Sequence, residues 1–313
     1  MNMLHPKIKT LLALCFLATL NLSAEMTFDG VVTHPVELSA LSHFGALFEQ
    51  EPVIQGDRSK GTIELRDRKE DTKDGGSLAF TIEDGQVIAV RGNRARLHDA
   101  QFAWFGAFES LRSIKLDHNF DDKTTEEIEF DGSGLSALSS SNTLEVVRLA
   151  GGSFGDAGAQ AAAQLPHLKE LIIFHTQVTD AGIQHLQDHP SLEKLVLGPA
   201  YAEDGITNVS MAPLAAIPNL RDVTLNEMIL TWEEGLEHLV AGNDHFERID
   251  LARSAIPPED LAKLREAMPE TTIEHIGYSE LIEQLDNGTL KFGGRLKKNI
   301  PAEMLSAMRA AAN

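Results

Sequence analysis

Between Leu168 and Leu197 the chain reads LKELIIFHTQVTDAGIQHLQDHPSLEKLVL, and this stretch restricts the fold more than any other. Leu168, Leu171 and Ile173 are spaced apolar-x-x-apolar-x-apolar, which suits a short strand with one buried side. Val178 leads into the polar turn Thr179-Asp180-Ala181-Gly182, and Ile183 and Leu186 then stand at helical spacing. After Pro190 the first spacing returns as Leu192, Leu195 and Leu197, 24 residues further on. A strand, turn and helix of this size cannot bury its own apolar side. It has to stack on copies of itself.

The copies are present. Ile88 and Val90 begin the series, with Phe102, Phe105 and Phe108 supplying a helix. Leu111, Ile114 and Leu116 come next, then Leu144, Val147 and Leu149, and beyond the two units above Leu220, Val223, Leu225 and Phe246, Ile249, Leu251. From Leu111 onward the first apolar residues are 33, 24, 24, 28 and 26 residues apart, a drift that fits variable loops between fixed strands. Helix starts follow the strands at Gly155-Asp156-Ala157-Gly158, Thr179 to Gly182, Thr231-Trp232-Glu233-Glu234 and Pro257-Pro258-Glu259-Asp260. Acids there are expected to satisfy the free N–H groups of their own helix and to face its positive end. That leaves little room for a bound anion. The unit at Leu111 carries an insertion, and the one at Leu192 lacks a clean helix. Leu261 to Met268 reads as a closing helix and Thr272 to Ile276 as a final strand.

The best unit, LKELIIFHTQVTDAGIQHL from Leu168 to Leu186, resembles the leucine-rich repeat of ribonuclease-inhibitor-like proteins. Thr176 stands where that form has asparagine or cysteine, Gly182 at its glycine and Leu186 at its last leucine. The repeats with Thr-Asp-Ala-Gly also resemble those of many secreted bacterial proteins. The resemblance covers about residues 85–276. It implies an α/β solenoid with a curved parallel sheet on the concave side, helices on the convex side, protein binding as the usual use and no catalytic residues.

Outside the repeats the chain changes character. Lys7 and Lys9 precede the apolar run Leu11 to Leu20, and Ser23-Ala24 offers a small residue for cleavage, the layout of a secretory signal peptide over 1–24. Removing it takes away two lysines and lowers the formal charge from −20 to −22. It also removes Cys15, the single cysteine, so the mature chain would hold no thiolate metal site or disulfide. An exported protein, periplasmic or extracellular, is the expectation. Residues 25–84 read as a capping segment and linker: Pro35 to Glu51 as an amphipathic helix, Gln55 to Gly76 as a charged loop. The end, 277–313, reads as a C-terminal cap and basic tail, with Lys291, Arg295, Lys297, Lys298 and Arg309 against Glu303, and a short helix carrying Met304, Leu305 and Met308.

Alternation along each strand assigns residues to the open sheet face. Lys115, Arg148, Ile172, Val196, Thr224 and Asp250 fall in one column, Asp222 in the column before it and Phe174 in the one after. Ile172, Phe174 and Val196 make an apolar centre, with Lys115 and Arg148 on one side and Asp222 and Asp250 on the other, the make-up of a protein-binding patch. The charge of −20 argues against nucleic acid, which wants a basic groove. No cofactor and no metal is expected. His185 and His189 share a helical spacing but lack the glutamate of H-E-x-x-H and read as solvated surface. Asp117-x-Asn119-x-Asp121 opens like a calcium loop, but Asp122 stands where glycine belongs and Ile128 where glutamate belongs. Asp131-Gly132-Ser133-Gly134 is a turn with no base placed to activate Ser133. The expected function is non-catalytic protein binding through the concave face. A self-associating envelope scaffold held by its basic tail is the first alternative, and a carbohydrate-directed hydrolase the second.

Overall fold

The computed structural model describes residues 28, 30–48, 50–66, 75–119, 130–198, 205–242, 245–290, 296 and 298–312. The signal-like segment 1–24, Cys15 and most of the acidic insertion after Asn119 lie outside these residues. Among the described residues eleven strands form one sheet in strict chain order. β1 (Val53–Gly56), β2 (Lys60–Arg66), β3 (Ser77–Glu83) and β4 (Gln86–Asn93) pair antiparallel. From β4 onward every pairing is parallel: β5 (Ser113–Asp117), β6 (Val146–Ala150), β7 (Glu170–Phe174), β8 (Lys194–Leu197), β9 (Asp222–Leu225), β10 (Arg248–Asp250) and β11 (Thr272–Glu274). Gln55 to Arg66, expected as part of a loop, is therefore largely strand. Ile63 and Leu65 are fully buried and carry the alternation that its charged neighbours obscure.

Helices and tight turns link the parallel strands: α2 (Phe102–Phe105), α3 (Asp156–Ala162), α4 (Asp180–Gln184), α5 (Met211–Ala215), α6 (Glu237–Gly242) and α7 (Pro258–Ala267). All follow α1 (Pro35–Gly45), which buries Leu41 and Phe44, with the Phe44 ring centroid 5.6 Å from that of Phe80 on β3 and 4.8 Å from that of Phe105 on α2. The unit after β8 does have a helix: a turn at Asn208–Ser210 runs into α5, with Met211 and Leu214 buried. The leucine ladder makes one core between sheet and helices. Ile114, Val147, Leu171, Leu195, Val223 and Ile249 are all fully buried there, from Phe28 at one end to Met268 at the other.

Three hydrogen-bond ladders hold successive units together. The acids at the helix starts bond to the neighbouring unit, and Asp260 also accepts from Lys263 of its own helix at 3.1 Å. Asp156 accepts from the backbone N–H and hydroxyl of Thr179, both at 2.8 Å, and Asp180 accepts from Thr207 at 2.9 and 2.7 Å. Thr179 and Thr207 then cap their own helical turns through Ala181 and Val209 N–H. Asn208 accepts from Thr231 N–H at 3.1 Å, Asp260 from Trp232 N–H at 2.9 Å and Asp99 from Asp131 and Gly134 N–H at 2.8 Å. A second ladder stands just before the strands, where Thr143, Ser191 and Thr271 each donate to carbonyls of the preceding unit. The third runs up the strand entries. Arg112, Glu145, Lys169, Glu193, Arg221 and Glu247 alternate in sign, and Lys169–Glu145 and Arg221–Glu247 close at 2.8 Å. Each such exposed pair stabilises little by itself, but alternation resists a slip of one unit against the next.

The chain ends in α8 (Tyr278–Asn287) and α9 (Ala302–Ala311), which form a second, smaller core of Leu281, Leu285, Met304, Met308 and Ala255. The Tyr278 hydroxyl donates to the Ile256 carbonyl at 3.1 Å, and Arg309 meets Asp286 at 2.8 Å. The tail helix is thus docked on its own chain. Among the described residues no helix is long and apolar enough to cross a membrane.

Candidate functional site: the open face of the parallel sheet

Pleating sends Ile114 and Leu116 of β5 into the core and leaves Ser113, Lys115 and Asp117 on the other side, and the later strands repeat this. Parallel pairing in register then lines up equivalent residues. One row runs Arg91, Lys115, Arg148, Ile172, Val196, Thr224, Asp250, Glu274 across β4 to β11. Lys115, Arg148, Ile172, Val196 and Asp250 thus stand side by side. The row before it holds Ala89, Ser113, Val146, Glu170, Lys194, Asp222, Arg248 and Thr272, which places Asp222. Phe174 follows Asp117 and Ala150 in the row nearest the strand ends.

The row is held by contacts between units. Arg148 Nε donates to Asp117 Oδ1 at 2.7 Å, and its guanidinium carbon lies 5.0 Å from the centre of the Phe174 ring. Arg148 therefore joins the cationic flank to the apolar centre. Arg248 is the other anchor. It reaches Glu274 through Nε at 2.9 Å, Asp222 through one terminal nitrogen at 2.9 Å, and Asp250 and Glu274 through the other. The bond to Glu274 is the main cause that raises the Arg248 pKa, and it holds the Glu274 carboxyl below its usual range. Lys194 adds a looser pair with Asp222 at 3.7 Å. Ile172, Phe174 and Val196 remain partly exposed between these flanks, while Thr224 is buried.

At the strand exits Arg94, His118, Gly151, His175 and Glu227 occupy equivalent positions, all with left-handed φ of 50 to 70°. The same turn is made in each of these units, although only one carries glycine. Burial, with Arg253 and His118 nearby, pulls the His175 imidazole down to about 4. Burial pushes the Glu227 carboxyl up, and Arg253, 3.8 Å away, opposes that shift.

The other sequence candidates separate. α4 ends at Gln184 and the chain turns left-handed at Asp188 (φ 61°), which leaves His185 exposed and carries His189 into the core at 3% exposure. The two imidazoles do not share a face, so the solvated pair is corrected on the His189 side. Asn119 is buried, accepting from Leu97 N–H at 3.2 Å and donating to Leu97 carbonyl at 3.1 Å, and Asp117 is given to Arg148. Both first residues of the calcium-like loop are engaged elsewhere. Ser133 N–H donates to Asp131 at 2.9 Å, closing the turn that Gly132 opens at φ 89°.

Arg91 and Glu274 extend the row beyond the sequence assignment, and Arg248 organises it. The same alternation assigns Arg91 and Glu274 once β4 and β11 are known to belong to the parallel run, and it already places Arg248 beside Asp222 in the column before the row.

No family model matches the chain, and no curated protein matches it. Among solved structures, a structural-genomics crystal structure of a Bacteroides fragilis protein is similar over 71% of this chain and 95% of that one, at 14% identity and a TM-score of 0.29.

Proposed function

We propose that this chain is an exported leucine-rich repeat solenoid that binds protein, without catalysis, through the open face of its parallel sheet. The observation that carries this reading is the row from Lys115 to Asp250. Partly exposed apolar side chains at its centre are flanked by charges that neighbouring strands hold in place. Desolvating Ile172, Phe174 and Val196 against a partner would supply binding energy at about 25 cal/mol per Å² of apolar area. The charged flanks would set orientation more than affinity. The ladders between units support a repeat architecture, and a sheet fixed in this way presents its face without an ordering cost on binding.

The tail-held alternative is weakened by the burial of Met304 and Met308 in the chain's own second core. The test is capture from a cell-envelope extract with protein beginning at Glu25, beside a variant with Ile172→Ser, Phe174→Ser and Val196→Thr. These side chains are partly exposed, so the variant is expected to keep the wild-type melting temperature within a few degrees. A captured protein lost by the variant supports the face. A captured protein retained by both sinks it.

A further inference from the structure

We propose that the partner taken by this face is a second copy of the chain, laid sheet against sheet about a two-fold axis running along the strands between β7 and β8. The proposal rests on the reading of this face as a protein-binding surface and names its occupant. It starts from the order of charges across the row. Arg91, Lys115 and Arg148 are cations, Ile172 and Val196 are apolar, and Asp250 and Glu274 close the row as acids.

Counting all outward residues on the strands sharpens this. On β4 to β6 three cations stand against one acid, Asp117. On β9 to β11 three acids, Asp222, Asp250 and Glu274, stand against one cation, Arg248. Between them Glu170 and Lys194 cancel. The face is a neutral dipole on a chain of formal charge −20, so two copies can meet on it without net repulsion between their facing residues.

Symmetry selects the arrangement. A two-fold axis along the strands reverses strand order but keeps strand direction, so each row meets itself backwards. Arg91 then faces Glu274 of the second copy, Lys115 faces Asp250, Arg148 faces Thr224 beside Asp222, and Ile172 faces Val196. The row before it brings Glu170 opposite Lys194. In the row after, Phe174 lies opposite Gly198, which Phe174 of the same chain already covers, so the two Phe174 rings meet across the axis. A two-fold axis across the strands would instead set every strand on its own copy, with Arg91 on Arg91 and Asp250 on Asp250. Like charges disfavour it.

The size of the face sets the strength. Eight strands about 4.8 Å apart, with five paired residues each on β4 to β7 falling to three on β10 and β11 at about 3.3 Å per residue, give a footprint of roughly 500 Å² per copy. The total of about 1,000 Å² is at the low end for a specific interface, so the dimer is reversible and concentration-dependent. The charged pairs lie toward both ends of the row, at the rim of the contact, which makes the association sensitive to salt. β1 to β3 overhang the second copy's β11 edge.

Sedimentation of the full chain over a concentration series is the test. Wild type is expected to show a monomer–dimer equilibrium that weakens as salt rises. Lys115→Glu and Asp250→Lys should each raise the dimer dissociation constant by about tenfold or more, because each puts like charges at both symmetry-related contacts. An equimolar mixture of the two should recover dimer, since every contact in the mixed pair is again complementary. Asp250 also accepts from Ala252 N–H, so the more exposed pair Arg91→Glu and Glu274→Lys repeats the experiment if Asp250→Lys fails to fold. Wild type that stays monomeric at every concentration overturns the proposal, as does a dimer that both single variants keep. The capture experiment separates the two readings. A monomeric wild type whose foreign partner is lost on changing Ile172, Phe174 and Val196 removes the second copy and keeps the face. A dimer that survives both charge reversal and those changes removes both.

Discussion

Gly182 shows at the residue scale why the Thr-Asp-Ala-Gly turn has its composition. A side chain there would run into Asp156 Oδ1, the acid from the preceding unit, and Gly235 stands in the same relation to Asn208. Glycine is set by the ladder between units, since Gly182 itself lies within α4 and is not among the residues of positive φ. Gly182→Ala is expected to cost about 1–3 kcal/mol by overpacking. Asp156→Ala is expected to cost a similar amount, about 1–3 kcal/mol, because it leaves the Thr179 N–H and hydroxyl without their acceptor. Combined, the two should cost clearly less than their sum, since removing Asp156 makes room for the new methyl group. Denaturant unfolding of the four proteins measures this, and strict additivity would mean the two residues do not meet. The glycine and the acid were both legible in the sequence. Their contact was not, because it joins residues 26 apart whose separation depends on how the units stack.

At the element scale the strands were the most legible part. An apolar-x-x-apolar-x-apolar spacing leaves one way for the pleat to face, and β5 to β10 follow it. Helices were less so. After β8 a turn of Thr207-Asn208-Val209 leads into α5 with Pro213 inside it, a local signal that reads as broken until Met211 and Leu214 are seen in the core. His189 looked like the partner of His185 because helical spacing was carried past Gln184, where the helix stops. The C-terminal helices form a core separate from the main one, which makes them an independent element in stability. Met308→Ala should cost about 2–5 kcal/mol of that element's packing. Hydrogen exchange should then speed up at Leu281 to Leu285 while β6 to β9 keep their protection, as nearest-neighbour stacking requires. Uniform loss across the sheet would contradict that separation.

The pH response belongs to the whole molecule. Burial lowers the pKa of His43, His175, His189 and His275, and raises that of Glu37 and Glu227. A histidine depressed in the fold contributes stability above its unfolded value of 6.5, and this is lost as pH falls toward its folded value. A carboxyl raised in the fold has the opposite sign: its contribution is present below its unfolded value and lost as pH rises through the folded one. The two groups oppose each other in mildly acidic solution, so one substitution is needed to separate them. His175 titrates at about 4 in the fold, and asparagine tolerates its left-handed backbone. His175→Asn should therefore lose less stability than wild type between pH 6.5 and 4, with the difference growing steadily across that window. Parallel stability curves would show that His175 takes up its proton equally in both states.

Sequence alone determined the unit, its order and its polarity. The leucine spacing specifies which side of each strand is buried, and in-register stacking makes neighbouring units neighbouring strands, so Lys115, Arg148, Ile172, Val196 and Asp250 could be placed in one row by counting. Tertiary structure decided what depends on distances between units. It joined the antiparallel β1 to β3 to the repeat sheet, handed the helix-start acids to neighbouring units, gathered three carboxylates around Arg248 and buried His189. It also set Arg91 and Glu274 at opposite ends of one face. Most of these depend on residues about one repeat or more apart, and no local pattern encodes a contact whose partner is fixed only when the units have stacked.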